Sequence, residues 1–171
     1  CALGPISRVV ARSSKARDFR VIGSGPRAGE KFPVEVPTNV IALIDFAGGQ
    51  IAQSSFSFDC ARPRAGVVEI HGTEGTLVFP DPNSHEGTLQ LFGIDSNDSE
   101  PEIIPCVGEV MQRGVGVVEM AQAIREGRSP RAGIDLAAHV VEVLQALEEA
   151  ATSGEEVKVD SRADAPALLP V

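Results

Sequence analysis

The apolar residues of this chain change their period once, and that change constrains the fold more than any other feature. Up to about residue 105 they alternate, or cluster in short β-branched and aromatic runs, as strands require. From Gly114 onward they recur three and four positions apart, as the buried stripe of a helix does. Strands are expected at 6–13, 19–22, 38–46, 50–58, 68–71, 76–79, 88–93 and 102–105, with an edge strand at 157–159. Helices are expected after Gly114, with a stop at Arg125-Glu126-Gly127, and from Asp135 to Ser153-Gly154. Strands that precede helices, without alternating with them, predict an α+β fold. Its expected form is a mainly antiparallel open β-sheet with two C-terminal helices packed on one face.

Two hairpins carry the sheet pattern. In GVVEIHGTEGTLVFPDPN, residues 66–83, Gly72-Thr73-Glu74-Gly75 supplies a tight connection, and Pro80 and Pro82 close the second strand. This hairpin is expected at the centre of the sheet. In the pair 38–46 and 50–58, turned at Gly48-Gly49, Val40, Ala42, Ile44 and Phe46 share one face and Ile41 and Leu43 the other. The neighbouring strand puts Ala52, Phe56 and Phe58 opposite Ile51, Gln53, Ser55 and Ser57. One face is apolar and the other mixed, which fits either a covering partner or ordinary exposed apolar side chains. The glycine-rich run 23–29 superficially resembles a phosphate-binding loop. It leads into Lys31-Phe32-Pro33-Val34-Glu35-Val36-Pro37, where two close prolines forbid the helix a dinucleotide loop needs. A surface loop is expected there.

Length and charge narrow the class of protein. The 171 residues suit a single domain, 1–171. A net charge of −9 and a pI near 4.8 repel nucleic-acid phosphates. No apolar run approaches the roughly 20 residues that span a bilayer. Residues 1–20 show no secretory signal pattern. Cys1, Cys60 and Cys106 are three in number, widely spaced and without a C-x-x-C, so reduced thiols in a cytoplasmic setting are expected. Residues 1–4 read as the last turn of a truncated helix, stopped by Gly4 and Pro5, so a piece of a longer protein is expected. The Ala/Pro-rich stretch 162–171 reads as a loose tail.

No catalytic constellation emerges from spacing. Asp81-Pro82-Asn83-Ser84-His85 lacks the glycine and bidentate carboxylate of a calcium loop, and a plain turn is expected. His71 lies at a strand end and His85 in a loop. His139 follows Asp135 by one helical turn, and Asp135, His139 and Glu142 are expected on the solvent side, opposite a stripe of Leu136, Val140, Val143 (or Leu144) and Leu147. There Asp135 would hold the imidazole in one tautomer. Arg113-Gly114, just ahead of a helix N-terminus, would form an anion-binding corner. The ordinary alternatives are a solvated helix face for His139 and a surface or interdomain arginine for Arg113.

Three stretches taken together resemble the C-terminal domain of Gfo/Idh/MocA-type oxidoreductases. They are PTNVIALIDFAGGQIAQSSFSFD, VEIHGTEGTLVFPDPN and QRGVGVVEMAQAIREGRSPRAGIDLAAHVVEVLQALEEAATSGEEVKV. The hairpin followed by Asp81-Pro82-Asn83 and the helix from Arg113 to Ile124 carry most of the resemblance, which extends from about Gly4 to about Val159. It implies an N-terminal Rossmann domain, absent from this chain, that binds NAD or NADP. The domain present here would shape the site for a sugar, inositol or related polyol and form a homo-oligomer through its sheet face. It also implies that the usual active-site Asp and His precede Cys1, so no catalytic, cofactor-binding or metal residue is assigned. Arg113 and His139 match family positions and are the substrate-binding candidates. The chain alone, without a cofactor, is expected to be inactive. The alternative is a stand-alone binding or scaffold domain without catalytic activity.

Overall fold

A computed structural model describes residues 3–61, 68–84, 86–94, 100–105 and 113–166. In chain order the elements are β1 (Ile6–Ser14), β2 (Phe19–Val21), β3 (Lys31–Pro33), β4 (Asn39–Phe46) and β5 (Ile51–Ser57). They continue as β6 (Val68–His71), β7 (Gly75–Phe79), β8 (Thr88–Gly93), β9 (Glu102–Pro105), α1 (Val115–Glu126), α2 (Ile134–Ser153) and β10 (Val157–Lys158). Among the described residues every strand pairing is antiparallel, and nine of the strands precede the helices, so the fold is α+β as expected. The pairings form three sheets, with orders β10-β1-β4-β5, β2-β3 and β6-β7-β8-β9. Two compact units divide the chain: one runs up to residue 61 and resumes at residue 128, and the other lies between them.

The first unit holds the main core. Register puts Val9 and Ala11 of β1 opposite Ile44 and Ala42 of β4, and Ala42 opposite Ser54 of β5, so these side chains share one face. Helix α2 covers that face with Val143, Ala146, Leu147 and Ala150. Alanines on both surfaces let helix and sheet approach closely, and the larger Val9, Val143 and Leu147 fill the space between. Each of those three stabilises by roughly 1.5–3 kcal/mol on full burial. The helix ends at Gly154, whose φ of 79° is the left-handed conformation that releases the chain into β10.

The position of α2 corrects one expectation. Its buried stripe is His139, Val143, Ala146, Leu147 and Ala150, while Val140 and Leu144 are exposed. The helix is rotated relative to the stripe read from its largest residues, because alanine fits the tight contact with β1 and β4 better than leucine. On α1, where spacing expects Val117, Met120, Ala121 and Ile124 to share one apolar face, the buried residues are Glu119 and Ala123, while Val117, Met120 and Ile124 are exposed.

In the second unit, β6 and β7 form the expected hairpin, with His71 opposite Thr76. β7 is interior and β6 is an edge, so the hairpin is the margin of its own four-stranded sheet and the main core lies elsewhere. Its glycines also act differently from expectation. Neither Gly72 nor Gly75 has a positive φ, so neither is required by turn conformation. Gly75 is required by space: it pairs with Gly93, and a Cβ there would collide with the carbonyl oxygen of Phe92. Residues 81–84 form the predicted turn, in which the Asn83 amide donates to Asp81 Oδ1 at 2.8 Å and the Ser84 amide to the Asp81 carbonyl at 2.9 Å. His85, the acidic stretch 95–99 and the tail from 167 lie outside the described residues.

Candidate functional site

Among the described residues of the first unit, a cluster of polar contacts forms where β10 and β1 stop pairing. The ladder's last link is the Val159 amide to the Ser7 carbonyl at 2.9 Å. Beyond it the two chains part, and side chains of α2 replace the missing ladder. The Ile6 amide donates to His139 Nε2 at 3.1 Å. The Asp160 and Ser161 amides donate to Glu142 Oε1 and Oε2 at 2.7 and 3.0 Å. His139 Nδ1 lies 2.9 Å from Ser161 Oγ.

These contacts fix the protons. An amide that donates to Nε2 leaves that nitrogen bare, so the ring proton is on Nδ1 and is donated to Ser161 Oγ. His139 is 5% exposed, and both of its nitrogens are engaged by the chain itself. This corrects the sequence expectation: His139 faces inward, and its partners are Ile6 and Ser161 in place of Asp135. Asp135 is a first-turn acid of α2, after an N-cap at Gly133. Glu142 titrates below its ordinary value of 4.5, first because of the Ser161 hydroxyl, then the Asp160 and Ser161 amides and the nearby His139.

Serine, histidine and glutamate are thus assembled in one row, but the polarity is wrong for nucleophilic catalysis. A catalytic imidazole must present a bare nitrogen to the serine and accept its proton. Here the imidazole donates to the serine, and its other nitrogen is taken by the Ile6 amide. The row fastens α2 to the start of β1 and to the exit of β10. Sequence reading missed Ser161, which is 22 positions from His139 and brought there only by the β10 return. The signal for an inward His139 was present, since Val143, Ala146, Leu147 and Ala150 follow it at i+4, i+7, i+8 and i+11.

Arg113 is where the sequence puts it, exposed in the turn before α1. The adjacent Gly114, with φ of 100°, is the N-cap, and its carbonyl accepts from the Val117 and Val118 amides. Arg113 and His139 belong to different units. His71 is exposed, with Nδ1 2.9 Å from Thr76 Oγ1 and Nε2 3.7 Å from Glu69. Among the described residues, no group of three or more His, Cys, Asp or Glu is placed to hold a metal, and no helix is long and apolar enough to cross a membrane.

The glycine-rich run does not fit a dinucleotide. It is the tip of the β2–β3 hairpin and leads into a strand. The amides of Ile22, Ala28, Gly29 and Glu30 donate to carbonyls of the loop itself, at 2.9–3.2 Å, so they are not available to a pyrophosphate. Among the described residues no strand, glycine loop and helix follow one another as a nicotinamide cofactor requires.

Comparison with known proteins places this architecture. Residues 1–78 match the family of GFO/IDH/MocA C-terminal domains. Levoglucosan dehydrogenase, in complex with NADH and L-sorbose, shares the fold at a TM-score of 0.70 and 25% identity, over 92% of this chain and 46% of that one. An oxidoreductase domain protein from Kribbella flavida aligns at 0.68 and 23%, over 91% and 46%. The aldose-aldose oxidoreductase of Caulobacter crescentus, complexed with glycerol, aligns at 0.67 and 20%, over 91% and 42%. The chain therefore spans less than half the length of these structures. No curated protein matches it in sequence.

Proposed function

We propose that this domain is the substrate-side and self-associating part of an NAD(P)-dependent oxidoreductase that moves a hydride to or from a sugar, inositol or related polyol. The observation that carries this reading is the likeness to levoglucosan dehydrogenase, which holds NADH and a sugar and shares this fold over 92% of the chain. The chain's own glycine loop cannot cradle a dinucleotide, so the cofactor belongs to a part of the parent protein outside these residues. Hydride transfer needs a positioned nicotinamide, and the 171 residues alone do not turn over substrate. Of the two candidate substrate contacts, Arg113 is the one whose exposure leaves it able to meet a ligand. His139 acts on the domain's frame, because its ring nitrogens are already engaged.

Self-association is assigned to the outward face of the β10-β1-β4-β5 sheet. There Leu43 and Ile51, 63% and 80% exposed, accompany Ile41 and Val10 among the charged side chains of Arg8, Arg12 and Asp45. The thiol count fits a reducing, cytoplasmic setting. The deciding measurement is a calorimetric titration of the chain with NAD and with NADP. No heat of saturable binding is expected for either, and micromolar binding would overturn the assignment of the cofactor to another part of the parent.

A further inference from the structure

The basic residues of this acidic chain are unevenly placed. Seven of its 15 lysines and arginines lie between residues 8 and 31, with only two of its 24 acids. Most of that segment beyond β1 is the β2–β3 hairpin, which leaves the end of β1 and returns to the start of β4. Its foot is fastened. The Val34 amide donates to the Asp18 carbonyl at 2.8 Å, Lys15 pairs with Asp18 at 2.9 Å, and Arg20 donates to the Phe58 carbonyl at 3.2 Å with its guanidinium 5.6 Å from the Phe58 ring.

Beyond the foot the hairpin is unlike an ordinary solvated loop. Phe19 and Val21 are 61% and 56% exposed, and register puts them on one face with Pro33 and Lys31. Arg17 and Lys31 have no acidic partner among the described residues, whereas Arg27 is neutralised by Glu30 at 2.8 Å. The hairpin thus presents two large apolar side chains flanked by cations.

Helix α2 presents the complement. It contains four acids, Asp135, Glu142, Glu148 and Glu149, and no lysine or arginine. Ile134, Val141, Leu144 and Glu148, spaced at i, i+7, i+10 and i+14, share the side opposite the buried stripe, and the three apolar ones are exposed. Glu148 and Glu149 line a shallow groove with Gln145, Thr152 and Ser153 at the helix's C-terminal end, where the macrodipole adds negative potential.

We propose that the β2–β3 hairpin is an arm that docks on the outward face of α2 in a second copy of this chain. Phe19 and Val21 cover Val141 and Leu144, and Arg17 and Lys31 meet Glu148 and Glu149. One chain carries both halves, so two copies exchanging arms form the contact twice around a two-fold axis and close the assembly. The charge balance favours this occupant. Two molecules of net charge −9 repel over most of their surface, and the arm on α2 is where opposite charges meet. The contact is separate from the outward sheet face and goes beyond the enzymatic reading.

The test is a charge swap, read by sedimentation equilibrium of the full chain at low salt. It is run in wild type and in a Leu43→Glu background that disables the sheet face, so the two contacts fail separately. Arg17→Glu with Lys31→Glu, or Glu148→Lys with Glu149→Lys, should each raise the dimer dissociation constant about tenfold, and all four together should restore it. Phe19→Ser with Val21→Ser should weaken association without changing charge. Association unaffected by either pair, no recovery in the fourfold variant, or a strictly monomeric Leu43→Glu chain would each overturn the proposal. So would an arm that proves to serve an anionic polymer, seen as heparin binding lost in Arg17→Glu with Lys31→Glu while dimerisation is unchanged.

Discussion

Replacing His139 separates a structural imidazole from a solvent-facing one. In His139→Leu the Ile6 amide loses its acceptor and Ser161 loses its donor, while the new side chain keeps most of the packing volume. An unmet, partly buried amide costs about 1–3 kcal/mol and a lost neutral hydrogen bond about 1 kcal/mol, so destabilisation of about 2–4 kcal/mol is expected. His139→Gln is the informative partner. Its Oε1 takes the place of Nε2 and can accept from Ile6, leaving only the Ser161 bond unmade, at a cost of about 1 kcal/mol. Urea unfolding followed by far-ultraviolet circular dichroism should therefore place the leucine variant's midpoint below the glutamine variant's by roughly 1 M, given a typical slope for a small domain. Hydrogen exchange at the Ile6 amide supplies a local reading: protection should survive in Gln and collapse in Leu. Equal midpoints and equal Ile6 exchange in the two variants would refute the assignment of Nε2 as an acceptor.

Glu142 titrates below its ordinary value of 4.5 in the folded chain, so its contribution to stability is present above that value and lost as pH falls through the lower folded value. Acid unfolding curves should accordingly show wild type losing more stability than Glu142→Gln below about pH 4.5, with the two converging at the acid extreme. Gly75→Ala should destabilise the β6-β7-β8-β9 sheet by roughly 1–3 kcal/mol, because a Cβ meets backbone that cannot yield, and exchange at β7 and β8 amides should rise while β1 and β4 amides stay protected. Leu43→Glu should leave the melting temperature almost unchanged, since Leu43 is exposed, yet weaken association through the sheet face in light scattering.

The sequence by itself determined the order and type of the elements and which residues of a strand share a face. Alternation in 38–46 gave the inward row Val40, Ala42, Ile44 and Phe46, and the pairing of β4 with β1 and β5 follows it. Helix ends at Gly127 and Gly154 were equally legible, because left-handed glycine termination is a local matter. Neither the rotation of α2 nor the meaning of Gly75 was local. Period says which helix positions line up, but the stripe that becomes buried depends on how closely the facing sheet lets the helix approach. Alanines at positions 11 and 42 selected the narrow stripe that begins at His139. Gly75 owes its role to Phe92, on a strand that the turn's own sequence does not specify. The cluster of His139, Ser161 and Glu142 depends in the same way on β10 folding back beside β1. Tertiary structure decided that the histidine would hold the frame together, because only there does a backbone amide arrive to claim the nitrogen that chemistry would have needed.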